Sequence, residues 1–370
     1  MKRFDKPKIE LIVDSGAFSS WNRGEPDLNL NEYIRYIKRN RHLIFACVNM
    51  DSIPGSFGTK RTAADVEKSA RKSYDNLQEM KSHGLSPIPV FHAGEDFKWL
   101  ERLLADGETY IGFSSSKDTT ALKTDWLDRL FSMICDRDGN PLIRIHGFAL
   151  TRPLYVLRYP WFSIDSTTWS LDAGMGHMLV PRYVGGKPDY SQPPEAISVT
   201  GIQQANPNQL EAMRESFHGH VLTYLETVCG LDPVDVRYST DARRKTYIVY
   251  YLNLIEYANN VLFKHRHTGV IKPKKVAIKN PIQRGKLRMM FATSATAHSF
   301  SDLLNQMNVK TRLLSYYELQ HETDDALAEY VMAGTMRTAP ARKTMPRMNT
   351  ETYWNLRRLM LRDHLRKTEP

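Results

Sequence analysis

Three acidic residues follow short apolar runs of this sequence, at positions where an active site could use them. Asp14 ends the run IELIVD, Asp51 ends LIFACVNMD, and Asp165 lies in WFSIDS. Carboxylates that converge on one point repel each other, so the arrangement is costly unless they do chemical work or bind a cation. General acid–base catalysis and cation binding are therefore the two kinds of chemistry to consider.

Residues at these run ends also have a purely structural interpretation. An Asp after a strand often caps the next helix or forms an Asx turn. Gly112 and Gly147 could serve tight turns, and His92 could be a hydrogen-bonded core histidine. Capping is less favoured for Asp14 and Asp51, because their helices are predicted to begin about ten or more residues later.

The first 170 residues alternate short β-rich runs with stretches of helical spacing. Strands are predicted at 9–14, 43–51, 88–92, 109–114, 142–150 and 161–166. Apolar spacing predicts helices from about Leu30 and about Thr62, over Asp96–Ala105 and around Trp126. Strands that alternate with helices pair in parallel through right-handed crossovers, so the fold class is α/β.

A doubly wound sheet and a TIM-type (β/α)8 barrel both fit this alternation. No GxGxxG or GxxxxGKS/T motif follows a predicted strand, which disfavours a Rossmann or P-loop nucleotide-binding domain. We predict the barrel, in which all strand ends meet on the rim that carries the active sites of this fold. The residues expected on that rim are Asp14, Asp51, His92, Gly112, Gly147 and Asp165.

The second half of the chain is less regular. The Gly- and Pro-rich residues 172–195 are predicted to be a loop or insertion, with helices at 207–228 and 243–263 and a strand at 287–294. A further strand at 311–317 and a terminal helix from about Thr350 are also predicted. The predicted organisation is therefore six β/α units of a catalytic barrel (1–170), an insertion with helices and barrel completion (171–320), and a basic helical extension (321–370).

Positive charge is concentrated in two segments of this 370-residue chain, whose net charge is +10. Residues 264–288 carry nine Lys or Arg and no acid, and residues 335–367 carry nine against two acids. Clustered Lys and Arg favour a polyanionic partner such as a nucleic acid. Basic segments that are merely exposed to solvent would show the same charge pattern. Candidates for phosphate contacts are Lys272, Lys274, Lys275, Arg284, Arg357 and Arg358.

Targeting signals and metal motifs are not evident in the sequence. No apolar run is long enough to span a membrane, and the first residues lack the pattern of a secretory signal. The three cysteines are too far apart in sequence for a disulfide framework or a CxxC metal site. We therefore expect a reduced, cytoplasmic protein with no membrane partner.

The ordered set of run ends resembles a known family. DSGAF is similar to the Asp-Ser-Gly-Gly-(Phe/Tyr) motif of the tRNA-guanine transglycosylases, and the later runs occur in that family's order. The combination of DSGAF, PIPVFHAGE, HGFALTRP and SIDSTTW is most similar to the phage-type branch, the 7-deazaguanine DNA transglycosylases (DpdA-like). The resemblance covers about residues 8–170.

The resemblance implies a pentosyltransferase that exchanges guanine through a double displacement. Asp165 matches the nucleophile that attacks C1′ of the sugar, and Asp14 matches the general acid and base. Asp51 matches the carboxylate that reads the N1 and amine edge of guanine. Phe18 falls where the family stacks an aromatic ring on the base.

The remaining base-binding assignments also follow from the resemblance. Ser15 belongs to the same motif as Asp14, and His92 falls where the family usually has Gln. Gly112 and Gly147 would let backbone amides approach the heterocycle. Because a base inside a duplex is out of reach, the target guanine would have to flip out of the stack, at a cost on the order of a few kcal/mol.

Two departures from the family shape the expected substrate. The family's cysteine-rich zinc site is absent, so neither a structural metal nor a redox cofactor is expected, and the segment after the nucleophile is Ser166-Thr167-Thr168-Trp169. Loss of the zinc subdomain favours DNA as the substrate, with a 7-deazaguanine such as preQ0 as the incoming base. Three alternatives remain open: a tRNA substrate, a nucleic-acid-binding protein without turnover, and a metal-dependent nuclease. The oligomeric state is not indicated.

Overall fold

The computed structural model describes residues 11–24, 28–42, 44–55, 59, 61–115, 119–199, 215–264 and 287–291. Its strands are β1 Leu11–Val13, β2 Ile44–Cys47, β3 Val90–His92, β4 Tyr110–Ser114, β5 Arg144–Phe148, β6 Ser163–Ser166, β7 His177–Val180, β8 Arg182–Val184, β9 Lys187–Asp189, β10 Glu195–Ser198 and β11 Arg288–Phe291. Its α-helices are α1 Ala17–Asn22, α2 Leu30–Arg39, α3 Ala63–Ser82, α4 Phe97–Ala105, α5 Thr120–Ile134, α6 Pro153–Arg158, α7 Thr168–Gly174, α8 Glu215–Thr223, α9 Pro233–Tyr238 and α10 Thr240–Lys264. A π-helix, Tyr224–Cys229, continues α8.

The described chain divides into two compact units. The first contains the described residues up to 150, residues 159–165 and β11, and the second contains residues 151–158 and 166–264. The candidate site residues up to Asp165 belong to the first unit, so its fold is the one that positions them.

Strands of the first unit lie side by side in chain order. β1 pairs in parallel with β2, and a parallel bridge joins Val48, just after β2, to Ile88, just before β3. A central five-stranded sheet has the order β11-β6-β5-β4-β3, in which the neighbouring pairs from β3 to β6 are parallel. The architecture is mixed α/β, as predicted. Closure into a barrel is not seen among the described residues.

Helices α2 and α3 form where the sequence supplies both a cap and an apolar face. Asn29 caps α2 by accepting hydrogen bonds from two amides of its first turn. Thr62 and Asp65 form a capping box that begins α3. The buried Tyr33 of α2 places its hydroxyl 3.2 Å from the Val13 carbonyl and 2.8 Å from the Val48 carbonyl, which fixes the chain near the ends of β1 and β2.

Four short helices, α1, α6, α7 and α9, were not predicted from the sequence. α1 begins at Ala17, directly after the first strand, so the expectation that the helix after Asp14 begins about ten residues later is wrong. Gly16 precedes α1 with φ 76°, a left-handed conformation that glycine adopts without strain. α6 lies between β5 and β6, where no element was expected.

The second unit corrects the prediction for residues 172–195. They are not a loop: they contain the end of α7, strands β7 to β9 and the start of β10. β7 pairs antiparallel with β10, and β8 pairs antiparallel with β9 through a turn in which Gly185 and Gly186 both have positive φ. Two such residues suit a two-residue hairpin turn, and this turn accounts for part of the glycine content.

Helix α10 covers β7 and also packs against α6 and α7. Its buried Arg243 donates to the carbonyls of Ala173 and Val236, at 2.7 Å and 2.9 Å. This helix confirms the prediction for 243–263, and α8 with its π-helix occupies the second half of the predicted helix 207–228. β11 confirms the strand predicted at 287–294. The predictions for 311–317 and from Thr350 lie outside the described residues. None of the described helices is both long enough and apolar enough to cross a membrane.

Candidate active site

The three predicted acids lie at the carboxyl ends of β1, β2 and β6 and interact electrostatically. Asp14 follows β1 directly, Asp51 follows β2 after three residues, and Asp165 is within β6. The negative charges of Asp51 and Asp165 both raise the pKa of Asp14. The parallel arrangement therefore brings together, at one edge of the strands, three carboxylates that are far apart in sequence.

Asp14 is the acid whose protonation is most affected by this arrangement. Desolvation by the surrounding protein, followed by the charges of Asp51 and Asp165, raises its pKa to about 6. Hydrogen bonds from the amides of Ser15 (2.8 Å) and Gly16 act in the opposite direction. Asp14 as a whole residue is nevertheless exposed. A carboxyl group with a pKa near 6 can both release and accept a proton near neutral pH.

Asp51 is held from two sides. Its Oδ2 lies 2.8 Å from Nε2 of His92, and its Oδ1 accepts a longer hydrogen bond, 3.4 Å, from the hydroxyl of the buried Ser15. The Ser15 amide is also used, since it donates to Asp14. Ser15 therefore orients the two acids, and these contacts leave its expected role in base binding without support.

His92 has an acid on each side of its ring. Nδ1 lies 2.9 Å from Oε1 of the buried Glu95. The turn from His92 to Glu95 brings this about: Gly94 has φ 97° and the Glu95 amide donates to the His92 carbonyl, a geometry typical of a type II turn with glycine at its third position. Both ring nitrogens are thereby engaged, so His92 has no polar ring atom left to bind a base. These contacts leave the expected role of His92 in base binding without support.

Asp165 is bound by a strained backbone segment. Its Oδ1 accepts a hydrogen bond of 2.7 Å from the amide of Ala149. Ala149 has φ 54°, a left-handed conformation that costs a non-glycine residue about 1 to 2 kcal/mol. In the part of the chain that the structure describes, the Oδ2 atom of Asp165 receives no hydrogen bond.

A buried polar chain lies beneath Asp165. Nε2 of His146 is 3.7 Å from its Oδ1, and Nδ1 of His146 is hydrogen-bonded to Ser163 Oγ at 2.8 Å. The Tyr110 hydroxyl is hydrogen-bonded to the same Ser163 oxygen at 2.7 Å. His146 and Ser163 face each other across β5 and β6, so the register of the sheet builds this chain.

Phe18 presents an exposed ring on α1, four residues after Asp14 in the sequence. It lies on α1 with 56% of its surface exposed, and its ring centroid is 5.9 Å from that of Trp21. The Trp21 indole donates to the Gly55 carbonyl at 2.6 Å, and the Arg61 guanidinium lies 5.2 Å from the Trp21 ring centre. An exposed ring at this position can stack on a planar ligand, which keeps the prediction for Phe18 open.

Gly112 and Gly147 are required by packing within the sheet. A Cβ atom on Gly112 would lie 2.4 Å from Cε2 of Phe148, and one on Gly147 would lie 3.0 Å from Cζ3 of Trp161. The Gly112 amide donates to the Pro89 carbonyl at 2.8 Å, so it is not free to bind a heterocycle as expected. Gly147 pairs with Phe113 on one side and Ile164 on the other. Close packing accounts for the absence of a side chain at both positions, and the expected approach of a heterocycle to Gly147 stays a prediction.

The predicted phosphate contacts at Lys272, Lys274, Lys275, Arg284, Arg357 and Arg358 lie outside the described residues. Five further residues contact the predicted acids, directly or through other residues, and were not identified from the sequence. They are Glu95, His146, Ser163, Tyr110 and the backbone of Ala149. Glu95 had a local signal, because FHAGE places an acid three residues after the histidine with a glycine between them.

Comparisons with models of protein families, with curated proteins and with solved structures each returned no match for this chain. Support for a function therefore comes from the residues and geometry of the site.

Proposed function

We propose that the protein is a transglycosylase that exchanges guanine in DNA for a 7-deazaguanine base, such as preQ0, through a covalent glycosyl-aspartate intermediate. The observation that carries the proposal is the meeting of three carboxylates at the ends of three strands, where desolvation and then the charges of Asp51 and Asp165 raise the pKa of Asp14 to about 6. Glycosyl transfer with retention needs one carboxylate as nucleophile and one that exchanges a proton.

We also propose that the first unit is part of a TIM-type (β/α)8 barrel. Strand order supports this: the strands from β1 to β6 follow one another in chain order, with β11 next to β6. A doubly wound sheet would instead reverse its strand order at a switch point. Acids at the carboxyl ends of such strands occupy the face where barrels carry their active sites.

In the first step, Asp165 acts as the nucleophile. Its Oδ2 forms a bond to C1′ of the guanosine sugar while the bond from C1′ to N9 breaks, and the electron pair of that bond leaves with guanine. The Ala149 amide holds the other oxygen at 2.7 Å, which fixes the plane of the carboxylate. The proton of Asp14 passes to the departing base, so guanine leaves as a neutral molecule.

In the second step, the incoming 7-deazaguanine reverses the sequence. Asp14, now ionised, accepts the proton from N9 of this base, and N9 attacks C1′ and expels the Asp165 carboxylate. Asp14 is then protonated again and Asp165 is free. A pKa near the working pH suits a group that must act first as acid and then as base.

A direct test combines base release with covalent trapping. DNA oligonucleotides or tRNA carrying radiolabelled guanine are incubated with the protein and an unlabelled 7-deazaguanine. We expect labelled guanine to be released from DNA, and denaturation during turnover to leave a protein–DNA adduct. Asp165→Asn should abolish the adduct and lower the rate by at least about a thousandfold.

A matched carboxylate provides the control. Asp138 is exposed in the turn before β5, at the opposite end of that strand, so Asp138→Asn should leave exchange unchanged. Release from tRNA alone would contradict the DNA substrate. Equal activity of Asp165→Asn and Asp138→Asn, or nucleic-acid binding with neither release nor adduct, would overturn the transglycosylase. Strand scission that depends on Mg²⁺ would favour a nuclease instead.

A further inference from the structure

Asp51 takes part in a buried arrangement in which one histidine lies between two acids. Asp51, His92 and Glu95 expose only 10%, 9% and 3% of their side chains. The distances from the two ring nitrogens to the carboxylate oxygens, 2.8 and 2.9 Å, are typical of strong charge-assisted hydrogen bonds.

The geometry constrains the protonation of the ring. A neutral imidazole has one N–H donor and one lone pair, so one of its nitrogens would face a carboxylate oxygen with no proton between them. An imidazolium has two donors and satisfies both acids. Burial lowers the pKa of His92, but the hydrogen bonds and charges of Asp51 and Glu95 outweigh burial and raise it to about 10.

Glu95 gives this arrangement a direction. A buried carboxylate is strongly unfavourable without a partner of opposite charge, and in the described residues the partner of Glu95 is His92. Asp51 lies on the side of His92 that faces Ser15, which in turn contacts Asp14. Glu95 thus stabilises the positive charge of His92 at one ring nitrogen, and the other ring nitrogen donates to Asp51.

We propose that His92 is a positioning residue that, anchored by Glu95, holds Asp51 in one orientation as the acceptor for a heterocycle edge carrying adjacent N–H donors. The ligand class rests on the proposed function, whereas the charge and orientation rest on the buried contacts alone. With Oδ2 bound by His92 and Oδ1 near Ser15, the remaining lone pairs of Asp51 can serve a ligand only in fixed directions. His92 acts through Asp51 and does not touch the base.

The charge of His92 can be measured without any activity. Long-range proton–nitrogen correlation spectra of protein labelled with nitrogen-15 histidine report how many ring nitrogens carry a proton. At a pH of about 8.5, an ordinary histidine with a pKa near 6.5 is neutral. We expect His92 to show both nitrogens protonated, and exposed His83, which contacts Glu79 at 3.1 Å, to serve as the internal comparison. A singly protonated His92 ring would overturn the proposal.

The positioning role is tested by His92→Gln, Glu95→Gln and the surface control His83→Gln. Removing the positive charge should raise KM for the 7-deazaguanine more than it changes kcat, since binding of the base is affected and the reacting atoms are not. Glu95→Gln should give a smaller change in the same direction, and His83→Gln none.

The possible outcomes separate the positioning role from the function. A doubly protonated ring with no exchange activity would leave the charge assignment intact and overturn the proposed function. A KM profile of His92→Gln that matches His83→Gln would overturn the positioning role even if exchange occurs. If His92→Gln fails to fold, the spectra of the wild type and of Glu95→Gln still test the positioning role. Loss of the second ring proton of His92 in Glu95→Gln would support the role of Glu95. A neutral His92 ring in the wild type would refute it.

Discussion

The buried contacts of His92 predict a specific loss of stability at alkaline pH. The pKa of His92 is raised in the folded protein to about 10, whereas an unfolded histidine titrates near 6.5. Its contribution to stability is therefore complete below pH 6.5 and is lost as the pH rises towards 10. Comparison of the wild type with His92→Gln isolates this contribution, because other titrating groups are common to both proteins.

The magnitude follows from the two pKa values. Each pH unit between them is worth 1.36 kcal/mol, so the range from 6.5 to about 10 corresponds to about 5 kcal/mol. Up to pH 9 the loss is about 3 kcal/mol. These figures are upper limits, because Asp51 and Glu95 can relax away from a neutral ring. Only 7% of the surface of His92 is exposed, so solvent screens its interactions with the two acids very little.

Urea unfolding of both proteins at several pH values between 6 and 9 measures the effect. We expect the difference in free energy of unfolding between wild type and His92→Gln to shrink by roughly 2 to 3 kcal/mol across this range. His83→Gln, at an exposed ion pair, should show no such trend, because exposed pairs contribute little. A difference between wild type and His92→Gln that stays constant with pH would refute the assignment of the charge.

Three further substitutions test the packing and backbone around the site. Gly112→Ala should destabilise the protein by about 1 to 3 kcal/mol in urea unfolding, because its Cβ would lie 2.4 Å from the Phe148 ring; Gly174→Ala, whose Cβ meets no atom within 4 Å, is the control and should not. Ala149→Gly should raise the free energy of unfolding by up to about 1 kcal/mol by relieving the positive φ, and a loss of stability would contradict the strain. Thr62→Ala should cost about 1 kcal/mol through loss of the capping box, and any accompanying loss of exchange would argue against a purely structural role.

The fold could be predicted where hydrophobic runs and turns agree. All six strands expected in residues 1–170 are present, because each is a short apolar run closed by polar or glycine residues. Residues 172–195 were misread because their strands are only three or four residues long and their turn residues dominate the composition. α6 had a signal that was overlooked: Pro153 begins it, and proline is favoured in the first turn of a helix.

The acids of the site could be predicted, but their partners could not. Asp14, Asp51 and Asp165 lie at strand ends, and parallel strands bring such ends to one edge. The contact between His146 and Ser163 depends on the register of β5 against β6, which no local pattern specifies. The packing at Gly112 and Gly147 could not be predicted either, because only coordinates reveal the Phe148 and Trp161 rings packed over them.

The unequal environments of the three acids suggest how their roles divide. Asp51 has a histidine cation beside it, and Asp165 has a backbone amide at 2.7 Å. Asp14 receives amide hydrogen bonds as well, but desolvation and the negative charges of the other two acids outweigh them and raise its pKa to about 6. A proton shared among three carboxylates goes to the one whose ionised form is least stabilised. The electrostatic environment thus favours Asp14 for proton transfer, which is the role that the resemblance of DSGAF implies for it. If the proposed exchange occurs, its pH dependence should therefore follow the titration of Asp14.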